Sequence, residues 1–275
     1  MFQSVTNLDY DKEQTFHVSG YKKYIHSKTI SLYRYIEFVC SPLLSTIPFS
    51  TNFFKNGFHE KNKKIRKISK LIITINVVKF YVWNYYNLLI WINQKIINRS
   101  LNKIRKIKKR NLLLIDTPLI CNNIAKNGKF DDRYLGNIYD ILKKDNNNIS
   151  YIFYFIHGKS IFGLLNFIET IKVLNRSKIR YISDFDILPF SFAFSALKFL
   201  NSYLFKHLKL YKNLKVNNRT DLAFKNEIIL SLSKNLIPIY SKYCLAKLIG
   251  KNLKNGKIIS FCEYQEREKA FNRGI

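Results

Sequence analysis

Apolar residues recur along this chain in two rhythms. In the last two-thirds of the chain, short unbroken apolar runs alternate with longer stretches in which apolar positions repeat every three or four residues. The runs are 112–116 (LLLID), 149–157 (ISYIFYFIH), 178–183 (KIRYIS) and 257–262 (KIISFC). A run without polar alternation suits a strand buried on both faces. Helix-length segments separate the four, so the order β-α-β-α-β-α-β predicts an α/β fold with a parallel sheet flanked by helices. The strands are expected to run out at Asp116, His157, Asp184 and Glu263. In an open parallel sheet these ends share the edge at which ligands bind, although any strand leaving a core also exits through polar residues.

Ahead of the first strand the pattern changes. A basic run at 61–70 (KNKKIRKISK) and another at 98–110 (NRSLNKIRKIKKR) flank an aromatic, helix-length segment at 71–97. Asn76, Lys79, Asn84, Asn87, Asn93, Gln94 and Lys95 make that segment too polar for a membrane span. On a helical wheel Asn76, Asn84, Asn87, Gln94 and Lys95 gather on one side, with Phe80, Trp83 and Trp91 near them. Val78, Tyr81, Val82, Tyr85, Leu88, Leu89, Ile92 and Ile96 fill the opposite side. Such a helix either packs on the sheet or lies on an anionic membrane surface through residues 61–110. Residues 1–60 are aromatic and mixed, with turn chemistry at Ser41-Pro42, Pro48 and Asn56-Gly57.

Between the strands the chain offers several loops with chemical content. Gly128 to Gly136 (GKFDDRYLG) opens a helix expected to run through Lys144, with Asp131 or Asp132 as its N-cap. His157-Gly158-Lys159-Ser160 places a glycine turn at a helix start, where free N–H groups attract anions; Lys159 would touch a phosphate there. Asp184-Phe185-Asp186 is a D-x-D step that holds a divalent ion in some settings and caps a helix in others. Helices are expected over 189–211 and 221–253, the second capped by Thr220 or Asp221 and broken near its middle by Pro238.

Composition narrows the setting. Lys+Arg number 47 against 18 Asp+Glu, a formal net charge of +29. That favours anionic partners, but Lys, Ile and Asn are dense along the whole chain, as AT-rich coding alone would produce. A basic nucleic-acid-binding protein is the main rival reading; against it, the chain lacks a zinc knuckle and an RNP-like block. Cys40, Cys121, Cys244 and Cys262 are scattered, without metal-ligand or disulfide-framework spacing. Neither a Walker A loop nor G-x-G-x-x-G occurs, so the sequence assigns no cofactor and no metal. The first ten residues lack a signal-peptide pattern, and a reducing cytoplasm is the expected compartment.

After the fourth strand comes E-Y-Q-E-R-E-K-A, in which Glu263, Gln265, Glu268, Lys269 and Ala270 match E-x-Q-x-x-E-K-A. This resembles a block of bacterial surface-carbohydrate (O-antigen type) biosynthesis proteins, which look like GT-B glycosyltransferases. Gly128, Phe130, Asp132, Tyr134 and Gly136 resemble the same family's G-x-[FY]-x-D-x-Y-x-G segment. The resemblance covers 111–275 and implies a Rossmann-like domain there, preceded by a mostly helical basic extension over 1–110. It also implies a nucleotide-sugar donor and a glycan or lipid-linked acceptor. Glu263 is the preferred catalytic carboxylate, followed by Asp116 and His157. Asp132, Tyr134, Gly136, Lys159, Gln265 and Glu268 are the candidate substrate contacts. In that family a second Rossmann-like domain follows, so this chain is expected to be an N-terminal half, completed by a further domain or a second chain.

Overall fold

A computed structural model describes residues 68–101, 112–130, 132, 134–145, 148–156, 161–177, 179–216, 235–252, 256–260, 270–271 and 274–275, with scattered positions between 222 and 232. Its helices are α1 (Lys70–Leu101), α2 (Cys121–Asn127), α3 (Ile138–Asp145), α4 (Ile161–Arg176), α5 (Asp184–Ile187), α6 (Phe192–Asn213) and α7 (Ile237–Asn252). Its strands are β1 (Leu113–Ile120), β2 (Ile149–Ile156), β3 (Tyr181–Ser183) and β4 (Lys257–Ser260). The strands form one all-parallel sheet in the order β3-β2-β1-β4. Helices flank it, and the fold is Rossmann-like α/β.

The chain divides into two compact units, Met1–Phe80 with Asn201–Lys234 and Tyr81–Leu200 with Asn235–Ile275. The boundary expected between 110 and 111 falls outside the described residues. In the first unit Phe80 stacks on Tyr203 at 5.9 Å between ring centroids. His207 Nδ1 lies 3.0 Å from the Tyr203 carbonyl, so that nitrogen carries the proton. The second unit holds the sheet.

β1 is longer than expected. The apolar run stops at Asp116, but the strand continues through Thr117-Pro118-Leu119-Ile120. Proline inside a central strand removes a ladder hydrogen bond. Here the parity of β1 spares the ladder with β2. Leu113 N donates to Asn148 O on the β2 side, while Leu112 O accepts from Lys257 N on the β4 side. Even-numbered residues of β1 therefore turn their backbone groups toward β4. Among the described residues β4 pairs with β1 from Leu113 to Asp116, and Pro118, being even-numbered, turns its nitrogen away from β2, with which β1 pairs through Ile120.

The same parity sorts the side chains. Leu112 and Leu114 point to one face, where Ile152, Ile182, Leu245, Ala246, Ile249 and Phe271 close a core. The other face is aromatic: Tyr151 stacks on Tyr139 at 5.1 Å and on Phe153 at 4.8 Å, and Phe155 meets Phe167 of α4 edge-on at 5.1 Å. Gly274 packs so closely on α7 that a Cβ there would stand 2.6 Å from both Ala246 Cβ and the Tyr243 carbonyl. The break expected near the middle of 221–253 lies just ahead of Pro238: described positions between 222 and 229 are helical, Asn235 and Leu236 are not, and helix resumes at Ile237. Pro238 is the second residue of α7, where its missing N–H has no intrahelical partner to lose.

One charged pair lies inside the apolar face. Asp116 is 3% and Lys242 2% exposed, and the Lys242 ammonium donates to Asp116 Oδ1. Asp116 Oδ2 accepts from Ser260 Oγ at 3.1 Å, because Asp116 and Ser260 are register partners in β1 and β4. The ammonium also sits 4.5 Å from the Phe271 ring and 5.2 Å from that of Tyr154. Two charges leave water at high cost and are held only when each has its partner.

α1 carries the two faces that the wheel predicts, but its packing is inverted. Asn84, Asn87, Gln94, Lys95 and Asn98 are buried, with Leu88 and Trp91 beside them. Val82, Leu89 and Ile96, on the apolar side, are 65%, 60% and 52% exposed. The polar stripe goes inward because it has partners there: Asn84 Oδ1 accepts from Leu236 N at 2.8 Å, at the start of α7.

The ion pair yields a stability test. Lys242→Met strands the Asp116 carboxylate and should cost about 3–5 kcal/mol in urea unfolding. Adding Asp116→Leu should restore most of that loss. A double variant no better than the single one would show that the two groups do not depend on each other.

Candidate functional site

In the order β3-β2-β1-β4 the chain steps outward from β1 to β3 and then returns to the far side of β1. The strand order therefore reverses between β1 and β4, and ligands of open α/β sheets bind outside the carboxyl ends of the strands at such a point. At the carboxyl end of β1 lies a pocket of about 60 Å³. Its lining includes Thr117 and Pro118 of β1, Asn123 of α2, and Lys129, Asp132 and Tyr134 of the loop that follows.

That loop is the G-K-F-D-D-R-Y-L-G block, and the fold accounts for most of it. Gly128 (φ 64°) ends α2 in a left-handed cap, its N–H bonded to Ile124 O at 2.9 Å. Phe130 anchors the loop on the aromatic face, 5.4 Å from Tyr151 and 5.6 Å from Phe153. Asp132 Oδ1 accepts from Tyr134 N at 3.1 Å and Leu135 N at 3.0 Å. Gly136 (φ 55°) closes the turn by donating to Asp132 O at 2.9 Å. Asp132 thus caps a turn, and the helix expected to open there begins later, at Ile138.

What the turn does not use is one carboxylate oxygen. Asp132 Oδ2 and the Tyr151 hydroxyl are both buried without another partner and face each other, the phenol O–H being the natural donor to that carboxylate oxygen. Thr117 Oγ1 is buried without a hydrogen-bond partner. Burial raises the Tyr151 phenol above its ordinary range, and the nearby Asp132 charge adds to this. The sequence reading missed Thr117 and Tyr151. The signal was there, since both are polar-tipped residues of odd parity within apolar strands, but parity could not be used before the register was known.

Of the other expected site residues, Asp116 is engaged by Lys242 and Ser260 on the opposite face of β1. His157, Lys159, Glu263, Gln265 and Glu268 lie outside the described residues. The D-x-D step is absorbed by local bonding. Asp184 Oδ2 accepts from Trp91 Nε1 at 2.8 Å. Asp186 Oδ2 accepts from Ser183 N at 2.9 Å and Ser183 Oγ at 2.7 Å, and its Oδ1 accepts from Asn98 Nδ2 at 2.9 Å. Lys95 Nζ donates to Phe185 O at 2.7 Å. Burial lowers the Lys95 ammonium from its ordinary range, with Asp184 and Asp186 opposing that shift. Among the described residues no cluster of three or more His, Cys, Asp or Glu side chains could hold a metal ion. Burial pushes the Cys121 thiol up to about 12, which removes it as a nucleophile at neutral pH. No family model, curated protein or solved structure matches the chain.

Asp184 gives the site region a pH dependence. Burial raises its carboxyl above the ordinary 3.8, while bonds from Trp91 and Ser241 and the Lys242 charge pull the other way. A raised folded-state value means that this group's contribution to stability is full below 3.8 and is lost as pH rises through the raised value. Asp184→Asn keeps an acceptor for Trp91 and cannot ionise. The melting temperature of the variant minus that of the wild type should therefore increase between about pH 4 and about pH 8. A difference that stays flat over that range would contradict the assignment.

Proposed function

We propose that this chain is a glycosyltransferase-like protein of surface polysaccharide biosynthesis whose sheet edge binds a glycan or lipid-linked acceptor. The nucleotide-sugar donor is then held by a second Rossmann-like domain or chain. The observation that supports this most is the position of Asp132 and Tyr134, the two polar side chains in the middle of the resembling block. Both line the pocket at the carboxyl end of β1, beside the reversal of strand order. Asp132 contributes a buried oxygen that its own turn leaves unbonded, and Thr117 adds a hydroxyl. A carboxylate acceptor beside a hydroxyl suits neighbouring hydroxyl groups on a sugar ring, each of which both donates and accepts. The pocket has room for a hydroxyl-bearing edge and not for a whole nucleotide.

Glycosyl transfer also needs a carboxylate or imidazole to take the acceptor proton. Asp116 is held by Lys242 and Ser260, which leaves Glu263 and His157 for that step. Glu263 follows the last residue of β4, Ser260, by three positions. β4 is the second strand that flanks the strand-order reversal. Gln265 and Glu268 belong to the same block and are proposed as acceptor contacts, with Lys159 as a phosphate contact.

The reading makes two calorimetric and spectroscopic demands on the isolated chain. Oligosaccharide acceptors should give saturation-transfer signals that Asp132→Asn weakens by about tenfold in affinity, since a hydrogen bond to a charged group is worth about 1.5–3 kcal/mol. The same variant keeps Oδ1 for the turn and should melt within a few degrees of the wild type. Sugar nucleotides should release no measurable heat. Tight binding of a sugar nucleotide by this chain alone would overturn the half-enzyme reading, and steeply salt-dependent RNA binding without glycan binding would favour a nucleic-acid role.

A further inference from the structure

The inverted packing of α1 leaves an apolar stripe without a cover among the described residues. Within the sheet-bearing unit it comprises Val82, Tyr85, Leu89 and Ile96, each between 41% and 65% exposed, with half-buried Ile92 completing the row. The separations are three, four, three and four residues, which keeps the row on one side of the helix. Tyr86 is exposed beside it and Trp83 half-buried. Exposed side chains of this size set in one line are not the scatter of single apolar residues that any surface shows.

Charge decides what covers the stripe. α1 contains no Asp or Glu. The run at 61–70 before it holds six Lys or Arg, and the run at 98–110, which includes its end, holds seven. A second copy laid along the stripe would set basic ends against basic ends whether the helices ran parallel or antiparallel. An anionic lipid surface would instead be attracted at both ends, with each Lys or Arg near such a surface adding to the attraction. Tyr and Trp at the edge of the row suit the headgroup level of a bilayer. No helix among the described residues is long and apolar enough to cross a membrane, so the helix would lie in the plane of the interface.

We infer that α1 docks on an anionic membrane surface through Val82, Tyr85, Leu89 and Ile96, held at its two ends by Lys and Arg. Trp91 is not in this face. It is 4% exposed and bonded to Asp184, so replacing it would damage the core and say nothing about lipid. The inference stands on α1 alone and holds whether or not the sheet edge takes a glycan.

The test uses the full chain in flotation with vesicles of phosphatidylcholine alone and of phosphatidylcholine mixed with phosphatidylglycerol. Wild-type protein should float with the anionic vesicles and remain behind with the neutral ones. Val82→Ser combined with Leu89→Ser should lower the anionic partition coefficient by about tenfold or more, because interfacial affinity scales with the apolar area inserted. Both positions are exposed, so the melting temperature should hold, and light scattering should give the same mass for both proteins. Failure of the wild type to float overturns the inference. So does a variant that floats equally well, since charge alone would then account for binding. A wild-type dimer that the two substitutions split would assign the stripe to a second copy instead.

Discussion

A carboxylate and an ammonium shut away from water hold the sheet to its helix. Asp116 lies in the central strand β1, Lys242 in α7, and Ser260 in β4 supplies the third contact. Burial of either charge alone would be prohibitive, so the register of β4 against β1 and the rotation of α7 are set together. The arrangement extends further. Asp184, at the end of β3, feels the Lys242 charge and takes the Trp91 indole N–H from α1. Two strand ends and two helices are thus referred to one ammonium group. The pair is costly as a source of net stability and effective as a constraint on geometry.

This constraint divides the chemistry between the two faces of β1. On the even-numbered face Asp116 is bonded to Lys242 and Ser260, and Asp184 beyond it to Trp91. On the odd-numbered face the Tyr151 hydroxyl meets the Asp132 carboxylate, and Thr117 Oγ1 is buried without a hydrogen-bond partner. The pocket opens at the carboxyl end of β1. Pro118 belongs to the same design: its missing amide faces away from the β2 ladder, and it forms part of the pocket wall.

The strands were legible because buried parallel strands are apolar on both faces and leave unmistakable runs. Their ends were not, as β1 shows: Asp116 looks like an exit only until its partner is known. Lys242 could have been found, since it sits on the apolar stripe of α7 formed by Ile239, Leu245, Ala246 and Ile249, where a lysine requires a buried anion. α1 defeated the usual rule. An amphipathic helix is expected to bury its apolar side, and the sequence does not show that Asn98, Lys95 and Trp91 have acceptors waiting at the β3–α5 turn. The glycine and aromatic positions of the 128–136 block were picked out through a resemblance, and the fold supplies their physical reason in a left-handed cap, an aromatic anchor and a tight turn.

The sealing of the Asp116–Lys242 pair is the central claim, and lysine footprinting measures it directly. Native protein exposed to an acylating reagent and digested for mass spectrometry should show Lys129, which is exposed at the pocket loop, modified early. Lys242 and Lys95, at 2% and 6% exposure, should stay unmodified until the protein is unfolded. Rapid acylation of Lys242 in the folded protein would contradict the account, because an ammonium that reacts with solvent reagent cannot be the buried partner of Asp116.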